Sequence, residues 1–302
     1  MIKLSVIIAT YNRAPHLRRA LESLAGQTLA PERFEIVVVD NNSSDDTPEV
    51  CGRFAADYPW LNFMMVAEAR QGVSHARNAG ITNSRGEYLA FIDDDEEVNT
   101  GFAESYYRFF ESHPEATVAG GEIVPLYEYT PPEWLSGYTE RPIAGTLRLG
   151  GKIREFPRNR FPGGGNMGVR RMVFERYGMF DPGLGRTGIS LLAAEEKELI
   201  HRFRAGGEKV FYLPEAKVLH IIPKEKLSKE YFDKVTRMIG VSERIRTEAK
   251  SDRAYRHRLV LELIKWEATF FLSTWYLLTF RPAKGRYLCR MRWNITEGLL
   301  DI

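Results

Sequence analysis

Cysteine is scarce in this chain, with two residues among 302, Cys51 and Cys289. They lie far apart and form no CxxC pair, so the sequence predicts neither a disulfide framework nor a zinc knuckle, which fits a reducing compartment. Net charge is also small, +2 from 42 basic and 40 acidic residues, so no overall field favours nucleic acid. The N-terminal apolar run is too short for the hydrophobic region of a signal peptide. These features predict a cytoplasmic protein that binds no nucleic acid.

Two motifs that mark other enzyme classes are missing after the first apolar run. A dinucleotide site requires GxGxxG after the first strand, but this chain has ATYNR at that place. The acidic nucleophile of HAD-type phosphatases also belongs after the first strand, where no such motif stands. An oxidoreductase and a phosphatase of these kinds are therefore excluded.

Short apolar runs alternate with amphipathic stretches through the first half of the chain. The stretch after the first run places Leu17, Leu21 and Leu24 on one face, as in a helix packed on a core. A β-α-β series of this kind predicts an α/β fold with a mainly parallel central sheet flanked by helices. Ligands bind beyond the carboxyl ends of such strands. Strands are expected at residues 4–9, 34–39, 61–66, 88–92, 209–213 and 217–222, and later helices at 170–177 and 193–205.

Three of these strands end in polar sequence that should meet at one edge of the sheet. The fourth strand ends in Asp93-Asp94-Asp95, and three successive carboxylates repel one another unless a cation compensates them. Mn²⁺ or Mg²⁺ suits this place, because these ions prefer oxygen ligands and are readily shared with phosphates. The alternative is a solvated acidic turn. The other polar ends are Thr10-Tyr11-Asn12-Arg13 and the run from Asp40 to Thr47.

The ordered segments SVIIATYNR, EIVVVDNNSSDDT and GVSHARNAGITNSRGEYLAFIDDD resemble the family 2 glycosyltransferases of the GT-A fold. The resemblance covers residues 1 to 222. It implies a hexosyltransferase-like enzyme that moves a sugar with inversion from a nucleotide diphosphate sugar, a UDP-sugar being favoured, and uses Mn²⁺ or Mg²⁺. The implied acceptor is a saccharide or lipid-linked saccharide in bacterial-type polysaccharide or glycoconjugate synthesis.

The periodicity of the sequence, together with this resemblance, predicts how the chain is divided. Residues 1–225 are expected to form a GT-A (Rossmann-like) catalytic domain. Its nucleotide-sugar-binding half is 1–98, and its acceptor half is 99–225 with an aperiodic excursion at 125–162 that covers the site. Residues 226–302 are expected to form a helical C-terminal region.

The donor site implied by the resemblance lies at the three polar strand ends. Asp40 would accept hydrogen bonds from the edge of a base such as uracil. The alternative is that Asp40, Ser43 and Asp45 only form an Asx turn and cap the helix that begins near Thr47, and both can hold at once. Arg77 would face the pyrophosphate or pair with a carboxylate and orient it. In the family's Asp-x-Asp motif the second Asp usually contacts the metal, which assigns Asp95 to the ion. The donor residues predicted are Thr10, Tyr11, Arg13, Asp40, Asn41, Ser43, Arg77, Asp93 and Asp94.

A general base is the second requirement of an inverting transfer, and a carboxylate suits it. The family's Glu-Asp pair opens a helix, and here Glu195-Glu196 stands at that place, with Glu for Asp at the second position. Glu196 is the predicted base and Glu195 the second choice, against the alternative of acids that complement a helix dipole. His220 is either a second metal ligand or a core histidine. Gly164, Gly165 and Asn166 are predicted on the acceptor side, or as part of a hinge.

The C-terminal region leaves two interpretations open. Residues 259–280 are apolar and nearly of membrane-spanning length, but Glu262, Lys265 and Glu267 interrupt them, and a basic cluster follows. Apolar and aromatic surface beside positive charge favours peripheral contact with an anionic bilayer, which would place the protein at the inner face of the plasma membrane. A helical hairpin that packs on the catalytic domain or forms a homodimer is the alternative.

Two other functions remain compatible with the residues. One is a nucleotidyltransferase built on a similar sheet. The other is a non-catalytic module that binds a nucleotide sugar but does not transfer it. Nucleotide binding without turnover of any donor and acceptor would favour the second.

Overall fold

The computed structural model describes residues 1–185 and 195–301. Within these residues the chain forms two compact units. The first contains residues 1–124, 147–185 and 195–221, and the second contains 125–146 and 222–301. Residues 125–146, the first part of the predicted excursion, thus belong to the same unit as the C-terminal helices. The division into a catalytic domain and a C-terminal region near residue 225 stays a prediction.

A mixed sheet forms the centre of the first unit. In the described residues the strands are β1 Leu4–Thr10, β2 Phe34–Asp40, β3 Asn62–Ala67, β4 Tyr88–Asp93, β5 Glu96–Val98, β6 Val118–Tyr127, β7 Arg154–Glu155, β8 Met167–Arg170 and β9 Val210–Ile222. The parallel half has the order β3-β2-β1-β4, and β8, β6, β9 and β5 continue the sheet, with β7 paired to β9. β8 pairs antiparallel with β4 and β6, and β9 pairs antiparallel with β5 and β7.

Three of the four parallel strands, β1, β2 and β4, are largely buried, whereas the edge strand β3 is partly exposed. β1 and β2 are buried along almost their whole length, and the apolar faces of α1 and α3 pack against the sheet. Gly80 of α3 permits close approach, since a Cβ there would lie 2.4 Å from Ile7 Cγ2. The helices of this unit are α1 Ala14–Ala25, α2 Thr47–Asp57, α3 Val73–Asn83, α4 Phe102–Ser112, α6 Arg171–Tyr177 and α7 Glu195–Ala205.

One sequence prediction is wrong in this unit. The sequence predicts a strand pair at residues 209–213 and 217–222, but β9 is one strand that runs through Pro214 without a break. Its two ends have different partners, since residues 211–212 pair with β7 and residues 218–220 pair with β5. A proline lacks the N–H that a ladder uses, yet it is tolerated where that N–H is not needed for pairing. The predicted start of α7 at Ala193 lies outside the described residues.

The second unit is helical. It contains α5 Gly137–Ala144, α8 Lys229–Lys250, α9 Asp252–Leu278 and α10 Pro282–Leu300. Its separate core includes Trp134, whose ring stacks on Tyr287 at 4.4 Å between centroids, and Phe232. Over the residues described, the helices fall short of the length and apolarity that crossing a bilayer requires.

Candidate active site

The three carboxylates at the end of β4 form ion pairs with two different arginines. Asp93 is the last residue of β4 and is partly exposed, whereas Asp94 and Asp95 form a buried turn before β5. Arg13, which follows β1, places Nη1 at 3.1 Å from Asp94 Oδ1 and 2.8 Å from Asp95 Oδ2. Thr10 donates a hydrogen bond to Asp94 Oδ2 at 2.9 Å. The polar ends of β1 and β4 therefore meet, because these strands are parallel neighbours.

Burial has a measurable consequence for one of these carboxyl groups. Desolvation raises the pKa of Asp94 to about 6, although the positive charge of Arg13 opposes the shift. The same desolvation disfavours the charge on Arg13, but Asp94 and Asp95 outweigh it and raise the pKa of the guanidinium. Arg13 is thus a built-in counter-ion for the buried part of the triplet.

His220 lies beside the triplet, as its predicted metal role requires. β9 pairs with β5 so that His220 is opposite Glu96, and His220 Nε2 is 3.5 Å from Asp95 Oδ2. The backbone supports this contact, because the N–H of Ile221 donates to the carbonyl of Asp95 at 2.9 Å. The predicted metal ligands Asp95 and His220 are therefore neighbours, although they are 125 positions apart in sequence.

The donor set fits a hard divalent ion that is shared with a ligand. Carboxylate oxygens and one imidazole are acceptable to Mn²⁺, and Mg²⁺ takes the oxygens. Within residues 1–185 and 195–301, no group of three or more His, Cys, Asp or Glu side chains is arranged to hold an ion by itself. Ions of this type usually keep waters and phosphate oxygens as additional ligands, so a small protein contribution is chemically sufficient.

Arg77 joins the donor-side carboxylate to the predicted base. It lies on α3 and is almost fully buried, with Nη2 at 3.0 Å from Asp93 Oδ1. Its Nη1 is 3.1 Å from Glu196 Oε1 and 3.3 Å from Glu195 Oε1. Desolvation disfavours the charge, but the three carboxylates together raise the pKa of Arg77, so it remains a cation. Of the two predicted interactions, the structure shows the pairing with carboxylates.

The two glutamates at the start of α7 differ in access. The Glu195 side chain is 2% exposed, whereas that of Glu196 is 17% exposed. Only Glu196 therefore combines the contact with Arg77 and appreciable access from solvent. Acids in the first turn of a helix are also stabilised by its dipole, so local structure and chemistry favour the same residues.

The glycines at 164 and 165 are required by close approach. A Cβ on Gly164 would lie 2.2 Å from Glu196 Oε1, and one on Gly165 would lie 2.5 Å from both carboxylate oxygens of Glu96. Asn166 differs from the two glycines, because its buried side chain is hydrogen-bonded to other groups of the protein. It accepts a hydrogen bond from the Tyr106 hydroxyl at 2.7 Å and donates to the carbonyls of Glu122 and Ala216. Its contact with an acceptor stays a prediction.

The residues predicted to bind the nucleoside form a separate set at the end of β2. Asp40 Oδ1 accepts from the N–H of Ser43 at 2.9 Å, so the predicted Asx turn is present and base recognition is compatible with it. Asn41 donates to the carbonyls of Glu68 and Arg70 and fixes the loop before α3. Tyr11 is exposed beside this set.

Two supporting residues were missed from the sequence. Glu96 is buried and accepts from the N–H of Asp93 at 3.0 Å, which shapes the acidic turn. Asn78 bonds both the N–H and the carbonyl of Phe180, over whose ring Arg77 lies. The extra acid after the triplet was a signal for Glu96. No sequence pattern pointed to Asn78, because its partner is 102 positions away.

Known structures share this architecture. TarS of S. aureus in complex with UDP superposes with a TM-score of 0.57 at 20% identity, covering 80% of this chain and 65% of that one. The mannosyltransferase PcManGT from Pyrobaculum calidifontis in complex with GDP-Man and Mn²⁺ gives 0.61 at 16% identity, covering 99% and 87%. These likenesses confirm the α/β class and the GT-A fold, with parallel pairing confined to one half of the sheet.

Sequence comparison gives the family. The model for Glycosyl transferase family 2 matches residues 5–178, so the chain belongs to that family. The glucosyl-dolichyl phosphate glucuronosyltransferase of Haloferax volcanii is 29% identical over 231 residues, which are 72% of this chain and 69% of that protein. Several other curated relatives are matched over only 12% to 32% of their own length. The predicted resemblance is confirmed.

Proposed function

We propose that this protein transfers a sugar, with inversion, from a nucleotide diphosphate sugar to a saccharide or lipid-linked saccharide. The observation that carries the proposal is the position of Arg77, within 3.3 Å of Asp93 on one side and of Glu195 and Glu196 on the other. A donor-side group and a candidate base are thereby held at one site. Such positioning is what a two-substrate displacement requires.

The donor is assigned to the edge formed by β1, β2 and β4. Asp40, Asn41 and Ser43 would receive the base, with Tyr11 beside it, and Thr10 and Arg13 order the acidic turn that the diphosphate approaches. A UDP-sugar is favoured, in keeping with the UDP named for TarS.

Asp95 and His220 would hold Mn²⁺ or Mg²⁺ together with the diphosphate oxygens. When bound, the ion neutralises the charge that develops on the departing nucleotide diphosphate. Support for this assignment comes from the oxygen-rich donor set and from the Mn²⁺ named for the Pyrobaculum enzyme. Arg13 would remain to compensate Asp94, which is too deeply buried to be left uncompensated.

Glu196 is proposed to accept the proton of the acceptor hydroxyl. The hydroxyl oxygen forms a bond to the anomeric carbon, the bond from that carbon to the diphosphate oxygen breaks, and the diphosphate leaves with the electron pair. Arg77 holds the Glu196 carboxylate in place, and Gly164 leaves room beside it. The buried Glu195 is the second candidate for the base.

The acceptor proposal extends from the relatives. The Haloferax enzyme is named for a glucosyl-dolichyl phosphate, which is a lipid-linked saccharide. Were the acceptor of this chain lipid-linked as well, transfer would take place at a bilayer surface, as in the predicted location at the inner face of the plasma membrane.

A donor panel tests the proposed function. Thermal shifts would be measured with UDP, GDP, CDP and dTDP sugars, each with and without Mn²⁺. UDP-sugars are expected to give the largest shift, and Mn²⁺ is expected to increase it, followed by release of the nucleotide diphosphate when an acceptor is added. Absence of a shift with every donor would overturn the donor assignment, whereas shifts without turnover of any acceptor would favour a non-catalytic binding module.

A further inference from the structure

Helix α9 buries charged side chains and exposes apolar ones. Its charged residues Arg258 and Glu262 are buried, with Arg258 Nη1 at 2.7 Å from Glu262 Oε2. Arg292 of α10 completes this buried group at 2.9 Å from Glu262 Oε1. Glu262, which interrupts the apolar stretch in sequence, therefore points into the helical unit. The inward side of α9 is therefore polar around Arg258 and Glu262, whereas Leu272 and Tyr276 further along it pack against the apolar core.

The opposite side of α9 is apolar and exposed. Its residues recur at intervals of three and four, so they form one stripe along the helix. The stripe covers 18 helical steps, or about 27 Å at 1.5 Å per residue. Phe271 is 75% exposed and Trp275 59% exposed, which is far more than scattered surface residues require. This stripe, called here the α9 face, consists of Val260, Leu263, Ile264, Phe270, Phe271, Trp275, Leu277 and Leu278.

One aromatic residue extends the α9 face beyond the helix. Phe280 is 94% exposed and has a φ of 56°, a left-handed conformation that bulky residues rarely adopt. The neighbouring N–H of Arg281 bonds the carbonyl of Tyr276, which fixes this turn into α10. The chain thus holds an aromatic ring outward at the end of the stripe.

Positive charge lies next to the aromatic end. Residues 268–296 contain no Asp or Glu, and five basic residues stand between 281 and 292. Arg290 pairs with Asp233, and Arg292 pairs with Glu262. The other three, Arg281, Lys284 and Arg286, lie within two turns of Phe280 at the start of α10.

We propose that the α9 face lies on the surface of an anionic bilayer, with the helix parallel to the membrane plane. A bilayer of this kind supplies both an apolar layer for Phe271, Trp275 and Phe280 and negative headgroups for the three basic residues. Trp suits this boundary, since its ring is apolar and its N–H is polar. The inference goes beyond the proposed function and holds for any sugar transferred.

A second copy of the chain fits this surface less well. In a two-fold dimer formed through the α9 face, each copy would offer the other the same apolar and basic surface. Glu267 is the one acidic side chain on the exposed stripe of α9, all of which the structure describes. The α9 face of a second copy, as far as the described residues show it, therefore has no acidic patch to receive the three basic residues. An anionic bilayer would complement both the apolar α9 face and the three basic residues, whereas a second copy would complement only the apolar α9 face.

Glu267 also gives the α9 face a direction. It separates an aliphatic patch, Val260, Leu263 and Ile264, from the aromatic patch that contains Phe271 and Trp275. The aromatic patch adjoins the basic residues, so it is expected to insert more deeply. Removal of the Glu267 charge should then strengthen binding.

Vesicle flotation with the full chain tests the proposal. The probes are vesicles of pure phosphatidylcholine and vesicles of phosphatidylcholine with phosphatidylglycerol in equal parts. Wild type is expected to float with the anionic vesicles, and Arg281→Gln, Lys284→Gln and Arg286→Gln combined should weaken that binding on the order of a hundredfold. Phe271→Glu with Trp275→Glu should abolish it, and Glu267→Gln should strengthen it.

Matched variants keep the result interpretable. Trp60→Glu is the control for the aromatic variant, because Trp60 is about as exposed as Trp275 but lies in the first unit. Arg33→Gln, Arg53→Gln and Lys152→Gln combined are the control for the basic variant, because they remove three exposed positive charges elsewhere. Both controls should bind vesicles as wild type does. Thermal melting shows that each variant is folded, and light scattering without vesicles gives its oligomeric state. Failure of wild type to float, equal binding to both vesicle types, or unaffected binding in the α9 variants would overturn the proposal. A wild-type dimer that Phe271→Glu with Trp275→Glu dissociates, without vesicle binding, would assign the α9 face to a second copy.

Discussion

At the residue scale, Arg13 and Arg77 provide the positive charges that compensate the carboxylates of the site. Arg13 pairs with Asp94 and Asp95. Arg77 pairs with Asp93, Glu195 and Glu196. Buried carboxylates without partners are costly, so neither arginine can be removed without disturbing the acids around it. A substitution at an acid is more informative, because it tests one role at a time.

Glu196→Gln should lose transfer and keep donor binding. The amide keeps the volume of the side chain but cannot accept the hydroxyl proton, and loss of a general base typically costs about 10²–10⁴ in kcat. Donor binding would be followed by thermal shift and transfer by release of the nucleotide diphosphate. Glu195→Gln is the matched control, with a smaller effect on kcat expected. The reverse order of effects would assign the base to Glu195.

Asp95→Ala should abolish metal-dependent turnover. The substitution removes the carboxylate that lies 3.5 Å from His220 Nε2 and that also pairs with Arg13. Mn²⁺ binding, followed by electron paramagnetic resonance of the free ion in the presence of UDP, should weaken together with kcat. Asp57→Ala, at the exposed end of α2, is the control and should change neither. Full activity of Asp95→Ala would remove Asp95 from the metal site.

At the scale of elements, the crossing of α8 and α10 depends on two glycines. A Cβ on Gly240 would lie 2.1 Å from the carbonyl oxygen of Ile295, and one on Gly298 would lie 2.1 Å from that of Arg237. Backbone atoms on both sides leave no flexible group to yield. The two helices can therefore approach this closely only because both positions have no side chain.

Gly240→Ala should lower the free energy of unfolding by about 1–3 kcal/mol, the usual cost of overpacking a close contact. Gly52→Ala is the matched control, since it lies in α2 with nothing within 4 Å of the added Cβ. That control should be neutral or stabilising, by up to about 1 kcal/mol, because alanine favours a helix. Urea denaturation measures both, and equal effects of the two substitutions would contradict the close crossing.

The charged interior of the helical unit should make its stability depend on pH. Desolvation acts to raise the pKa of Glu262, but Arg292 and Arg258 outweigh it, so the net pKa is lowered. A lowered pKa contributes stability above the ordinary value of about 4.3, and that contribution is lost as the pH falls through the folded value. Glu262→Gln should reduce the urea midpoint at neutral pH and flatten its decline in acid. Glu267→Gln, on the exposed side of α9, should retain the wild-type slope.

At the scale of the whole molecule, the two units have separate cores. That of the second unit includes Trp134 from the predicted excursion together with Phe232 of α8 and Tyr287 of α10. Long-range packing therefore connects residues 125–146 to the helices that follow residue 222. The first unit has its own core around the sheet.

Trp134→Ala should destabilise the second unit by about 3–5 kcal/mol, the usual loss for a buried aromatic side chain. Hydrogen exchange should show lost protection in α5, α8 and α10, while β1, β2 and β4 keep theirs. Trp60→Ala removes an exposed ring and should leave protection unchanged throughout. Uniform loss of protection over both units in Trp134→Ala would show that they unfold as one.

Much of the fold could be read from the sequence, because it depends on local pattern. The four parallel strands lie within one residue of their predicted ends, since each is an apolar run bounded by polar turns. The antiparallel half was harder. β8 is only four residues long, and the predicted strands at 209–213 and 217–222 are one continuous strand, because pairing along β9 is decided by distant strands.

Sequence alone thus determined the family, the order of the strands along the chain and the acids on which the chemistry is proposed to depend. Those features reside in residue types and short spacings. Tertiary structure decided which carboxylates Arg13 and Arg77 contact, that His220 lies beside Asp95, and which side of α9 is exposed. Each of these depends on strand register or helix packing between residues far apart. A periodic pattern shows that a face exists but does not identify its partner.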